Sequence, residues 1–119
     1  MQNEHLKMAA ANLTRAVSDF RVNQQTVEND IQIKKRDTAQ TLAAIDAQIN
    51  QLQQTKNREN AGTPEKLAID AQINNLQQDK SRIQKESDQL IATLQNNIKN
   101  IGSQVSELEG LASRLNGMA

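Results

Sequence analysis

Apolar residues in this chain recur every three or four residues on both sides of Gly62, and the two patterns are mirror images of each other. Each seam position before Gly62 has a counterpart after it, and the two residue numbers sum to 125, as in Leu52 with Ile73 and Ile31 with Leu94. Alternating steps of three and four are the spacing of coiled-coil helices, in which such positions face the partner helix. The mirror therefore predicts two helices that fold back on each other along one shared seam.

The mirrored seam has one irregularity on each side of the turn. Between Val27 and Thr38 the steps run four, four and three, which places Lys35 in the seam, and the same order returns between Leu90 and Ile101. Consecutive steps of four change the winding of coiled-coil helices locally. Because the two stretches overlap when the chain is folded back, both helices are expected to unwind at about the same level.

Two polar residues are predicted to fix the register of the seam. Thr38 and Ser87 have mirrored numbers, so we expect their hydroxyl groups to face each other. Polar residues at buried coiled-coil positions commonly specify register at some cost in stability. Lys35 is expected opposite Leu90, with its amino group reaching solvent over an apolar stem.

A stop-and-restart signal separates the two predicted helices. The run Asn60-Ala61-Gly62 is typical of a helix end, and we expect Gly62 to adopt the left-handed conformation that closes it. Thr63 is predicted to cap the next helix through its hydroxyl group, with Pro64 at the first helical position. The sequence therefore places the turn between two helices that share one seam.

These features predict a single all-α domain, a long antiparallel two-helix coiled-coil hairpin that assembles into a helical bundle. The turn is expected to be tight and to lie at about residues 60–64. Gly102 and Gly110 each cost the second helix about 1 kcal/mol relative to Ala, so we expect fraying or bending near its end. The predicted ranges are about 3–60 for the first helix, 61–63 for the turn and about 64–115 for the second helix.

An internal repeat lies across the turn. The segment from Ala44 to Lys56 recurs from Ala68 to Lys80, at an offset of 24 residues. In the predicted register, the first isoleucine of each copy faces the last lysine of the other copy, which gives this end of the hairpin a local two-fold symmetry. We interpret Asp46 and Asp70, which are related by the repeat, as solvent-exposed charges. A solenoid would need at least three copies.

Composition excludes several classes of function. The chain has 14 basic and 14 acidic residues, and only Lys34-Lys35-Arg36 is locally basic, so nucleic-acid binding is disfavoured. No stretch approaches the roughly 18 apolar residues that span a bilayer. The chain has no cysteine and begins with no basic and apolar secretion signal. We therefore expect a cytoplasmic protein, with signal-peptide-independent export left open.

The sequence offers no arrangement of residues for catalysis. His5 is the only histidine, which leaves no histidine pair for a proton relay or a metal site. No serine, threonine or aspartate has a base spaced to activate it, and no glycine-rich phosphate loop occurs. We therefore expect no enzymatic activity, no cofactor and no bound metal.

Large apolar residues outside the seam suggest a surface for a partner. Ile33 and Ile91 have nearly mirrored numbers and are expected to widen the apolar surface at the level of the irregularity. The other interpretation is that these are the scattered surface hydrophobes that soluble proteins normally carry. The candidate interface residues are Met8, Val22, Ile33, Ile91 and Leu111.

The leading hypothesis is a structural or adaptor coiled-coil protein that forms a homodimer or docks another helical protein. The alternative is a small holdase chaperone or a component of a secretion apparatus or filament. Binding to a lipid surface ranks last. Interfacial helices favour Trp or Phe together with a polar face rich in Lys and Arg, whereas this chain has one Phe and balanced charge. A mirrored seam would also allow two chains to exchange helices in a domain-swapped dimer.

Overall fold

The computed structural model describes residues 2–58 and 62–118, which form two helices, α1 at Gln2–Lys56 and α2 at Thr63–Met118. These residues divide into two compact units. The terminal unit contains residues up to Gln32 and from Ala92 onward, and the turn unit contains Ile33 to Ile91. Within each unit a segment of α1 packs against an antiparallel segment of α2. The prediction of an all-α helical hairpin is thereby confirmed.

The first helix ends earlier than predicted. α1 stops at Lys56, and the Arg58 amide donates a hydrogen bond to the Thr55 carbonyl at 3.2 Å. This bond spans three residues instead of four, which tightens the last turn as helix ends often do. The predicted stop residues Asn60 and Ala61 lie outside the described residues. Residues 57–62 therefore separate the two helices, where the sequence predicts 61–63.

Gly62 caps the start of the second helix and does not close the first. No described glycine has a positive φ, so the predicted left-handed closure at Gly62 is wrong. Because α1 already ends at Lys56, no helix terminus remains at Gly62 for such a conformation to close. Instead, the Gly62 carbonyl accepts a 3.0 Å hydrogen bond from the Lys66 amide, the first of α2. Gly62 therefore takes the capping position predicted for Thr63, and glycine is well tolerated there.

The second helix continues unbroken through both internal glycines to Met118. A methyl group added at Gly110 would meet nothing within 4 Å, and one at Gly102 would meet only the Gln24 amide nitrogen, at 3.8 Å. The glycines therefore do not interrupt α2. Packing explains this continuity, because Val105 and Ala112 of the same stretch are buried and tertiary packing outweighs local helix propensity.

The buried residues follow the predicted seam in both units. In the turn unit, Ile49, Ile69 and Ile73 form a core cluster with partly buried side chains packed around it. Burial of such side chains contributes about 25 cal/mol per Å² of apolar surface removed from water. The buried apolar residues of the terminal unit are Ala10, Val17, Ile31, Val105 and Ala112.

The irregularity lies seven residues, or about two helical turns, closer to the turn than predicted. Lys34 and Ile91 are half-buried and occupy the seam. Lys35 and Leu90, which were predicted to lie in the seam, are exposed. The residue numbers of both pairs sum to 125. The consecutive steps of four therefore run through residues 34, 38 and 42 in α1 and through 83, 87 and 91 in α2. Both are centred on the same buried polar layer.

That layer is the pair formed by Thr38 and Ser87. Their hydroxyl oxygens lie 2.8 Å apart, and the two residues are 7% and 2% exposed. One hydroxyl donates and the other accepts, so each group has a partner despite its burial. The predicted pairing is confirmed. Small side chains at this layer suit the place where both helices depart from the regular coiled-coil spacing.

Breaking this pair from one side should cost more than removing both hydroxyl groups. Thr38→Val leaves the Ser87 hydroxyl buried without its partner, which we expect to lower the free energy of unfolding by about 1–3 kcal/mol. The double variant Thr38→Val/Ser87→Ala should cost less than the two single variants added together. Urea unfolding followed by circular dichroism at 222 nm measures the four free energies.

The matched control is Thr41→Val, because the exposed Thr41 hydroxyl bonds only the Asp37 carbonyl of its own helix. It should change the free energy of unfolding little. Additive losses in the double variant would contradict a coupled pair.

Candidate partner-binding surfaces

Two symmetry-related ion pairs lie along one flank of the seam in the turn unit. The Lys56 amino group lies 2.7 Å from the Asp70 carboxylate, and Lys80 pairs with Asp46 in the same way. The lysine of each repeat copy thus pairs with the aspartate of the other. Asp46 and Asp70 are about half exposed, as expected of surface charges, and each also pairs with a lysine. We call this side the ion-pair flank.

The sequence contains the signal for these pairs. In each copy of the repeat an aspartate directly follows the isoleucine expected to face a lysine of the other copy. A lysine stem that crosses the seam brings its amino group to the neighbouring helix, where that aspartate is the nearest carboxylate. Exposed pairs of this kind contribute about 0–1 kcal/mol each. Their larger effect is to place charge on one flank.

The opposite flank of the turn unit carries an open groove without charged residues. It has a volume of about 540 Å³, and its floor includes the half-buried side chains of Leu52 and Leu76. Successive helical residues are about 100° apart, so the residue before a seam position and the residue after it lie on opposite flanks. The glutamines of the groove precede seam residues, whereas Asp46 and Asp70 follow them. The groove and the ion pairs therefore lie on opposite flanks. We call this groove the repeat groove. Its lining residues are Gln48, Gln51, Leu52, Thr55, Gln72, Asn75 and Leu76.

The terminal unit carries a second groove, which is lined mainly by amides. It has a volume of about 410 Å³. Arg21 and Glu109 form an ion pair in the same unit. Polar side chains at the groove rim match the amide-rich composition of the whole chain. The lining residues are Asn23, Thr26, Val27, Asn97, Asn100, Ile101 and Gln104.

The structure leaves four of the five candidate interface residues exposed. Met8 and Val22 are 64% and 63% exposed, and Ile33 and Leu111 are 47% and 44% exposed. Ile91 is the exception, because it is half-buried at a seam position and does not lie outside the seam as expected; its contact with a partner stays a prediction. Leu90 takes the outward position beside it. The widened apolar surface predicted around Ile33 and Ile91 therefore lacks one of its two main members.

The end of α2 carries a wider apolar stripe than a single partner helix covers. Ala112 is buried in the seam of the terminal unit, whereas Leu111 beside it is exposed and Met118 is 67% exposed. A strict coiled-coil seam uses two positions in seven, and a helix inside a bundle uses about three. The stripe comprises Leu108, Leu111, Ala112, Leu115 and Met118.

The sequence matches no protein-family model, and no curated protein or solved structure is similar to it. Within residues 2–58 and 62–118, no group of three or more acidic, histidine or cysteine side chains could hold a metal ion. Neither helix, over that same part of the chain, has a stretch apolar enough to cross a membrane.

Replacing one lysine of the Lys34-Lys35 pair should stabilise the hairpin, whereas replacing the other should not. Lys34→Leu puts an apolar side chain at a half-buried seam position level with Ile91, so we expect a gain of about 1 kcal/mol in the free energy of unfolding. Lys35→Leu is the matched control, since Lys35 is exposed. Urea unfolding of both variants measures the difference. A larger gain in the free energy of unfolding from Lys35→Leu would show that Lys35, and not Lys34, occupies the seam.

Proposed function

We propose that this protein is a structural coiled-coil protein that acts by associating with other helices, including a second copy of itself. The observation that carries the proposal is the wide apolar stripe at the end of α2. The α1 segment covers Ala112, whereas Leu111 and Met118 stay exposed. A further helix packed beside this stripe would remove both side chains from water.

The α1 residues on the same flank support this interpretation. Ala9 and Ala16 each precede a buried seam residue, as Leu111 precedes Ala112, and both are half-buried with small side chains. Burying a Leu or Met side chain fully contributes about 1.5–3 kcal/mol. Two hairpins packed side by side in a helical bundle would bury such a stripe without any change in the fold of either copy.

The mass of the chain in solution tests the proposal. Size-exclusion chromatography with light scattering across the micromolar range should give a mass twice that of the 13.2 kDa chain. Leu111→Lys should shift the equilibrium toward the monomer, because a charge would replace an apolar side chain in the contact.

Ser113→Lys is the matched control for Leu111→Lys. Ser113 is exposed on the other flank of the same helical turn, so the same added charge should leave the dimer unchanged. A chain that stays monomeric throughout the concentration range would contradict self-association. Equal weakening by both variants would contradict the role of the Leu111 flank.

A further inference from the structure

The repeat groove has an approximate two-fold symmetry that comes from the sequence. The 24-residue offset relates Gln48 to Gln72 and Leu52 to Leu76, and all four line the groove. Gln51 and Asn75, also in the lining, are related in the same way. Thr55 corresponds to Asp79, which is the one place where the repeat introduces a charge on this flank. The two halves of the groove therefore present nearly the same chemistry.

The position of the symmetry axis follows from the register. Each α1 residue faces the α2 residue that brings the sum of their numbers to 125, as Thr38 and Ser87 do at 2.8 Å, and the repeat adds 24 to each number. The residue that faces a given α1 position and the residue related to it by the repeat coincide at one level only. That level lies midway between residues 50 and 51 of α1 and between residues 74 and 75 of α2. The axis thus passes through the middle of the groove, level with Gln51 and Asn75.

We infer that the repeat groove is the docking surface for the turn unit of a second copy of this chain. The inference rests on the proposed function, since it names the partner and the place of contact. A symmetric dimer places the same patch of both subunits against each other, so the patch must be complementary to itself. Because the groove has its own approximate two-fold axis, a second copy could dock in either of two opposite orientations and meet nearly the same residues.

The distribution of charge favours the groove over the ion-pair flank. Docking two copies through the ion-pair flank would desolvate four lysine–aspartate pairs, which carries a penalty that their attraction repays only partly. The groove lining holds no charged residue. Its glutamine and asparagine side chains both donate and accept hydrogen bonds, so the same residue types on a second copy can satisfy them.

The available area is also sufficient for a dimer. From Ile33 to Lys56 a helix is about 36 Å long, and two helices side by side are about 20 Å wide. This face, of which the uncharged groove is one part, offers about 700 Å² per copy, close to the roughly 800 Å² that each partner buries in a standard interface. Next to the groove the same face carries Asp79, Arg82 and Glu86, which pair with one another. Docked face to face, the two turn units would form a four-helix bundle with Leu52 and Leu76 in its centre.

Single cysteine variants test the docking surface directly, because the chain contains no cysteine of its own. Gln51→Cys and Asn75→Cys place the thiol on the groove side, level with the axis. Asn50→Cys and Asn74→Cys are matched controls at the same level on the ion-pair flank. Mild oxidation followed by non-reducing electrophoresis measures the disulfide-linked dimer of each variant and of a mixture of the two groove variants.

We expect linked dimers from at least one groove variant or from their mixture, formed several times faster than from either control. A dimer by light scattering that links equally well or better at Asn50 or Asn74 would overturn the docking site and leave the proposed function standing. A monomer at all concentrations would overturn both. Dimers linked through the groove but insensitive to Leu111→Lys would confirm the docking site and refute the Leu111 flank.

A charge variant provides a second measurement that does not depend on thiol chemistry. Gln48→Glu/Gln72→Glu should weaken the dimer about tenfold or more, because four carboxylates would meet in a site shielded from water. Asn50→Glu/Asn74→Glu adds the same charge on the other flank and should leave the dissociation constant within about twofold. Circular dichroism confirms that both variants remain helical. Equal weakening by the two variants would overturn the docking site.

Discussion

The register of this hairpin depends on a buried hydrogen bond between two small hydroxyl side chains. Thr38 and Ser87 lie in the seam, 2.8 Å apart, at the layer around which both helices make consecutive four-residue steps. A slip of one heptad would set either residue against a different seam residue and leave a buried hydroxyl group unpaired, at about 1–3 kcal/mol. Apolar contacts alone discriminate such slips weakly, since most seam positions hold isoleucine, leucine or valine.

The same register explains why the internal repeat forms two equivalent ion pairs and a symmetric groove. Because the two copies face each other across the turn unit, the duplicated Ile-Asp and terminal Lys residues meet in two equivalent ion pairs. The duplicated glutamines and leucines meet on the other flank, where they line an uncharged groove. One duplication therefore produces two lysine–aspartate pairs on one flank and a groove with an uncharged lining on the other.

Much of the fold could be predicted from the sequence, because mirrored spacing fixes both the helix pairing and the facing residues. The exact seam positions at the irregularity could not. Lys34 and Lys35 are chemically identical, as Leu90 and Ile91 nearly are, so either choice preserves the apolar pattern and the mirrored numbers. The conformation of Gly62 was missed because the local signal of a helix stop is strong, whereas α1 ends earlier at Lys56.

The candidate surfaces were less predictable than the seam. An outward-facing apolar residue can be identified only after the seam is placed correctly, and a shift of one residue moved Ile91 inward and Leu90 outward. The repeat groove depends on which flank carries the ion pairs, a feature that appears only when lysine stems are followed across the seam. The repeat itself was visible, and it contained the information about symmetry.

The most direct test of the account is a disulfide between Thr38→Cys and Ser87→Cys in one chain. Because the native oxygens are 2.8 Å apart, the two thiols should be close enough to oxidise. We expect a cross-link within the monomer, whereas the control pair Lys35→Cys/Leu90→Cys, on opposite flanks, should not close within one chain. Cross-links found only between chains, or formed more readily by the control pair, would contradict the register and the intrachain hairpin.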